Sequence, residues 1–198
     1  MNLRYYKSKY FVLLVLAIAA VCTWLAEIGI PQVVMKYLSP ASCVAVFLLC
    51  FDKWLWKWPV FSWFMTVPDI SGNYTGQIEF VYNEKRQSKK CKMEIKQTST
   101  RVNVKTLFIG DDANEPSTSS CSLVAAIVDD ERKGNLKLVF VYENQGSYVA
   151  GDTLTQHYGT NVLNIIINKK TIELDGYYYT NRKPNQTMGV MKVSRHKK

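Results

Sequence analysis

The residues best suited to chemistry lie near the C-terminus, in the run DGYYYTNRKPNQTMG from Asp175 to Gly189. Strand alternation puts Ile172, Leu174, Gly176, Tyr178, Thr180 and Arg182 on one face. That face begins apolar, so Thr180 and Arg182 would carry it from a core to an open mouth. An inward arginine is costly unless it meets an anion or a carboxylate. A guanidinium fork suits phosphate, and tyrosine rings offer flat faces to bases. The competing reading has Arg182 paired with Asp129, Asp130 or Glu131, and the tyrosines in the core.

Other chemistry is sparse. The two histidines, His157 and His196, have no ligand spacing with Cys91 or Cys121, and there is no CxxC. No G-x-S-x-G elbow, P-loop or dinucleotide-type glycine fingerprint occurs. Asp111/Asp112 and Asp129/Asp130 are paired carboxylates, but they sit in turn-like stretches where Asp bonds its own backbone. The expectation is a binding protein rather than an enzyme, with no cofactor and no metal.

The elements that would position these residues are short strands. From Pro68 onward the chain alternates with turn signals, as a barrel or sandwich does. Strands are expected at 72–82, 92–98, 102–109, 122–128, 136–142, 148–158, 162–167, 171–180 and 188–194. Eight or nine antiparallel strands describe a small up-and-down barrel with room for side chains and one ligand at a mouth. Counting strand directions through that order brings Tyr74, Arg101 and Tyr158 to the Thr180–Arg182 end. The lysines of 85–92 and 169–170 would share the other end.

Ahead of the barrel stand two apolar segments. Tyr10–Ala26 is 17 residues without a charge, and Tyr37–Phe51 is 15 more. A membrane span needs about 20 mostly apolar residues. The first reaches that length by running to Ile30, and the second by borrowing WLWKWPVFSWF, which holds four of the five tryptophans. The expectation is a transmembrane helical hairpin over 1–67, with spans at about 10–30 and 37–57, and a cytosolic barrel over 68–198. A cleaved signal is disfavoured by the second segment, a lipoprotein box at Cys22 by Val21, and a soluble hairpin by the lack of anything to cover it.

Basic residues set the orientation. Arg4, Lys7 and Lys9 flank the first segment and Lys53 and Lys57 follow the second, whereas the 28–36 turn region offers Lys36 against Glu27. By the positive-inside rule both ends face the cytoplasm of a bacterial inner membrane, in a multi-pass arrangement. The net charge of +9 divides into +4 over 1–67 and +5 over 68–198. A modestly basic domain suits phosphate-bearing ligands or an anionic leaflet. Five cysteines without an even framework point to a reducing compartment.

A membrane hairpin, a barrel opening with DISGNYTG (69–76) and a closing GYYYTNR-(4)-TMG (176–189) together resemble the two-transmembrane, β-strand-rich effectors of bacterial cyclic-oligonucleotide anti-phage signalling (CBASS). The resemblance implies an eight-stranded barrel that binds a cyclic dinucleotide. It further implies oligomerisation on binding, then membrane disruption that kills the infected cell. The partners are the dinucleotide, membrane lipids and other copies of the chain, not a nucleic-acid polymer. On the matching motifs Tyr74, Thr180, Asn181 and Arg182 are the implied ligand-binding residues. Tyr158 and Arg101 join them by geometry alone. Two rival functions are a membrane-anchored lipid or fatty-acid carrier, and a barrel that only docks a partner.

Overall fold

Leucine, alanine and isoleucine, without interior proline or glycine, favour a helix over the first apolar segment. In the computed structural model α1 spans Ser8–Glu27. The structure describes residues 5–27, 39–82, 85–109, 118–130, 134–146, 156–181 and 186–196. The expected 28–36 turn, most of the expected 148–158 strand, Glu131 and Arg182 fall outside the described residues. The chain divides into two units: Met1–Asp69 with Thr98–Arg101, and Ile70–Gln97 with Val102–Lys198.

In the helical unit, the 20 residues of α1 measure about 30 Å at the helical rise. Among the described residues α1 is the one helix long and apolar enough to cross a membrane by length and composition. Its Val12, Leu13, Leu16, Val21 and Trp24 are exposed. The second apolar segment forms α2 (Pro40–Lys53), started by Pro40 and by Ser39, whose hydroxyl accepts from the Ser42 amide. At 14 residues α2 reaches about 21 Å, short of a hydrocarbon core of about 30 Å.

The expected second span therefore differs from what is seen. Trp54 leaves helical geometry at φ −132°, and the aromatic run does not extend α2. It folds instead into a single 3₁₀ turn (Leu55–Lys57) and a short helix α3 (Pro59–Ser62) opened by Pro59, which has no N–H to donate. Before α1, the Lys7 amide donates to the Phe64 carbonyl and the Thr66 amide to the Tyr5 carbonyl, both at 2.8 Å. Tyr6, Phe11 and Phe51 stack into the core of this unit, with Phe11 and Phe51 centroids 5.0 Å apart.

The turn 98–101 belongs to this unit through Asp52. The Asp52 carboxylate accepts from the hydroxyls of Ser99 (2.7 Å) and Thr100 (2.8 Å). The Tyr6 hydroxyl lies 2.6 Å from the same Ser99 oxygen, and Ser99 is fully buried.

The other unit is a closed antiparallel barrel of eight strands, each paired with its neighbours in sequence and β1 with β8. The strands are β1 (Gly72–Tyr82), β2 (Lys85–Gln97), β3 (Val102–Ile109), β4 (Thr118–Asp130), β5 (Asn135–Asn144), β6 (His157–Ile167), β7 (Thr171–Thr180) and β8 (Met188–His196). Alternation decides which side chains face in: Tyr74 and Ile78 on β1, Met93 and Ile95 on β2, Leu138 and Phe140 on β5, Leu174 and Tyr178 on β7 are all buried. A register shift between Ser122 and Val124 keeps both halves of β4 facing in.

Two expectations change here. Lys85–Lys90, outside the strands expected at 72–82 and 92–98, extends β2, because each residue finds a ladder partner on the second half of β1. And 157–167 is one strand, not the end of one and the whole of another. Gly159 and Asn161 look like turn residues but occupy inward positions, pairing with Tyr142 and Phe140 on one side and Thr180 and Tyr178 on the other. Removing one strand reverses the direction of everything after it. β7 therefore finishes at the opposite end of the barrel from the start of β1, and Lys169 and Lys170 lie at the end away from β2's lysines.

Candidate functional site

The barrel's two ends differ in chemistry. The end at which β1 begins is closed by Ile70, which is fully buried. Its amide donates to Gln97 Oε1 (2.9 Å) and its carbonyl accepts from the Tyr74 hydroxyl (2.7 Å). Arg195 Nε adds a bond to the same Tyr74 oxygen at 3.1 Å. Above this closure the interior is aliphatic, with Ile95, Leu138, Leu163, Leu174 and Val193 at 0–2% exposure.

Toward the far end, where β7 finishes, the inward positions turn to hydroxyls and amides. Thr106 pairs with Ser120 and Ser120 with Asn144 across successive strands, and all three are buried. Asn144 donates to Thr118, and its own oxygen takes the Gly146 amide. Round the wall stand Asn161, then Thr180 with Thr187. Two of these groups are unmatched: Thr106 Oγ1 and Asn161 Oδ1 are buried with no hydrogen-bond partner among the described residues. They sit on β3 and β6, nearly opposite in the eight-stranded wall. A buried unsatisfied polar atom costs about 1–3 kcal/mol, so such a pair marks a place where a polar guest would be welcome.

Two tyrosine rings enter the same half. A Cβ on Gly159 would fall 2.3 Å from Cζ of Tyr142, and one on Gly189 would fall 2.7 Å from Cε1 of Tyr178. Glycine at 159 makes room for the Tyr142 ring, and glycine at 189 makes room for the Glu79 carbonyl, 2.1 Å from such a Cβ, as well as for the Tyr178 ring. Burial pushes the Tyr142 phenol up, so it stays a neutral donor. Cys91, inward on β2, has its thiol pushed up to about 11 by burial and is no nucleophile. The described residues of the far half can thus offer hydroxyl donors, amide edges and aromatic faces to a ligand.

The expected site residues do not gather as expected. Thr180 faces in at the far end, its hydroxyl 2.7 Å from that of Thr187. With the Thr187 amide on Thr180 Oγ1 and the Thr180 amide on the Thr187 carbonyl, the two threonines clasp the β7–β8 connection. Asn181 joins β7 to β6: its Oδ1 accepts from the Tyr158 amide (2.8 Å) and its own amide donates to the Tyr158 carbonyl (2.9 Å). Tyr158 points outward, 45% exposed, with its hydroxyl toward Glu143. Tyr74 stands at the opposite end within the Ile70 closure, and Arg101 lies in the turn that belongs to the helical unit. The separation follows from the one-strand difference in β6. Asp130, one of the three alternative partners for Arg182, pairs with Lys137 at 2.6 Å.

Thr106, Ser120, Asn144 and Asn161 were not singled out from the sequence. Thr106 shares an expected strand with Val102 and Val104 and its polarity there was a legible signal, whereas Ser120, Asn144 and Asn161 fall outside the expected strands and carried none.

Comparison with known proteins decides the family. Residues 65–195 match the Cap15 cyclic dinucleotide receptor domain. The chain belongs to that family. The matched residues begin ahead of β1 and stop one residue short of the end of β8. The sequence resemblance to the β-barrel effectors of anti-phage signalling is borne out at this level. A curated relative, CD-NTase-associated protein 15 of Staphylococcus schleiferi, is 28% identical over 130 residues, covering 66% of this chain and 64% of that protein. The chain therefore aligns with a little under two thirds of the relative's length.

Proposed function

We propose that this chain is a membrane-tethered effector of anti-phage signalling whose barrel takes a cyclic dinucleotide into its hydroxyl-lined far half. The observation that carries this is the pair of unpartnered buried atoms, Thr106 Oγ1 on β3 and Asn161 Oδ1 on β6, in a half that also holds buried threonines, Ser120, Tyr142 and Tyr178. Hydroxyls donate to phosphodiester oxygens, amides read base edges, and the tyrosine faces stack on bases. Arg182, put forward by the sequence, would supply the charge-assisted contact to phosphate.

In the same reading the chain enters the bacterial inner membrane as α1 and comes back along α2, the Lys7–Phe64 and Thr66–Tyr5 bonds joining its two flanks, so the N-terminus and the barrel are both cytosolic, as Arg4, Lys7 and Lys9 favour. Ligand binding drives assembly of several copies, and the clustered helices then disturb the bilayer. Ligand shifts that balance only by preferring the assembled state, and a change from 1:99 to 99:1 requires about 5.5 kcal/mol of preference.

The test is calorimetric titration of the full chain in mild detergent with a panel of cyclic dinucleotides and their linear counterparts. One cyclic dinucleotide should bind with a stoichiometry of one or one-half per chain, and Arg182→Ala should weaken it. Equal response to linear and cyclic forms, or none to either, overturns the reading. A fatty acid that binds where every dinucleotide fails would favour the carrier function.

A further inference from the structure

Arg101 and Lys53 find no role in the barrel, and both line a cleft of about 940 Å³ within the helical unit. One wall of that cleft is a face of α2: Ala45, Leu48 and Leu49 follow the i, i+3, i+4 spacing of a single helical stripe. Leu49 is 65% exposed, an unusual cost for a leucine facing water. Continuing the stripe by one turn reaches Asp52, and there the lining changes to Lys53, Thr100 and Arg101.

The polar end carries two cations and one carboxylate. The Asp52 carboxylate is engaged by Ser99 and Thr100, whereas Lys53 and Arg101 are exposed at the rim. Beside Lys53, Trp54 is 61% exposed, its ring 5.6 Å from Lys53 Nζ. An apolar trough, a net single positive charge and an exposed indole beside it match the layers of a lipid: acyl chain, charged headgroup and interface.

We propose that this cleft seats one monoanionic phospholipid, its phosphodiester between Lys53 and Arg101 and one acyl chain along Ala45, Leu48 and Leu49. The local net charge favours a headgroup with one negative charge over a dianion. The proposal rests on the reading that α1 lies in a membrane, and it is independent of the dinucleotide.

Native mass spectrometry of the full chain in mild detergent tests it, with phosphatidylglycerol and phosphatidylcholine of identical acyl chains as probes. One phosphatidylglycerol should bind per chain, about thirtyfold better than phosphatidylcholine, as about 1 kcal/mol from each of the two basic residues implies. The Lys53→Gln/Arg101→Gln variant should bind both lipids equally, and Ala45→Trp should weaken both. Arg101→Lys, which keeps the charge, should keep most of the preference, and circular dichroism reports whether each variant is folded. A preference that survives the double substitution overturns the proposal. So does displacement of the lipid by inorganic phosphate alone, which would mark a simple anion site. Should no dinucleotide bind, the lipid result stands, because it is read from lipid mass alone.

Discussion

At the residue scale, the informative groups are those whose polarity is unmatched. Thr106→Val keeps shape and removes an oxygen that has no partner. Without ligand the variant should be neutral or up to about 1 kcal/mol more stable, measured by thermal unfolding. With ligand it should bind about tenfold more weakly, a loss of about 1.4 kcal/mol. Greater stability with unchanged affinity would remove Thr106 from the site. Cys91 offers a pH signature. Its folded pKa of about 11 lies above the ordinary value of 9.0, so the neutral thiol is favoured in the barrel. That stabilisation is complete below about pH 9 and is lost as pH rises toward 11. Alkylation at pH 8 should mark exposed Cys121 and spare Cys91, read by peptide mass spectrometry.

At the element scale, what the sequence told depended on whether periodicity alone decided the question. The inward rows of β1, β3, β5 and β7 were legible because alternation between core and solvent is a local property. Strand count was not, because Gly159 and Asn161 carry turn chemistry while serving as space and polarity inside the wall. That single ambiguity relocated Tyr74 relative to Thr180. The end of α2 was equally hidden: tryptophans after Lys53 read as a membrane anchor, yet Trp54 breaks the helix and Asp52 is held by hydroxyls 47 and 48 residues away in the chain.

Two predictions belong to this scale. Gly159→Ala should destabilise the barrel by about 1–3 kcal/mol through collision with Tyr142, and Tyr142→Leu in the same chain should recover much of it. Additive losses in the double variant would show the ring is not the obstacle. Asp52→Ala should loosen the 98–101 turn by about 1–2 kcal/mol, since a charged acceptor leaves two hydroxyls behind. Hydrogen exchange at the Ser99 amide, which donates to the Asp52 carbonyl at 3.0 Å, reports it directly.

At the scale of the whole molecule, the barrel is a closed ladder whose one end is stoppered by Ile70 and whose other end is polar. A guest in the polar half should stabilise the folded chain by mass action. At a hundredfold excess over its dissociation constant the gain is about 2.7 kcal/mol, visible as a raised melting temperature. Assembly should appear in the same sample by light scattering, and a raised melting temperature without a larger particle would separate binding from oligomerisation.

Because Thr98–Arg101 is grouped with the helices while both flanking strands are not, the backbone passes between the two units three times. A protease cut near Asp69 would sever one of those passages and leave the other two intact. The nicked halves should consequently stay together on a sizing column until denaturant is added. A fragment made to start at Ile70 would carry an orphaned Ser99, and supplying residues 1–69 as a separate peptide should restore its burial.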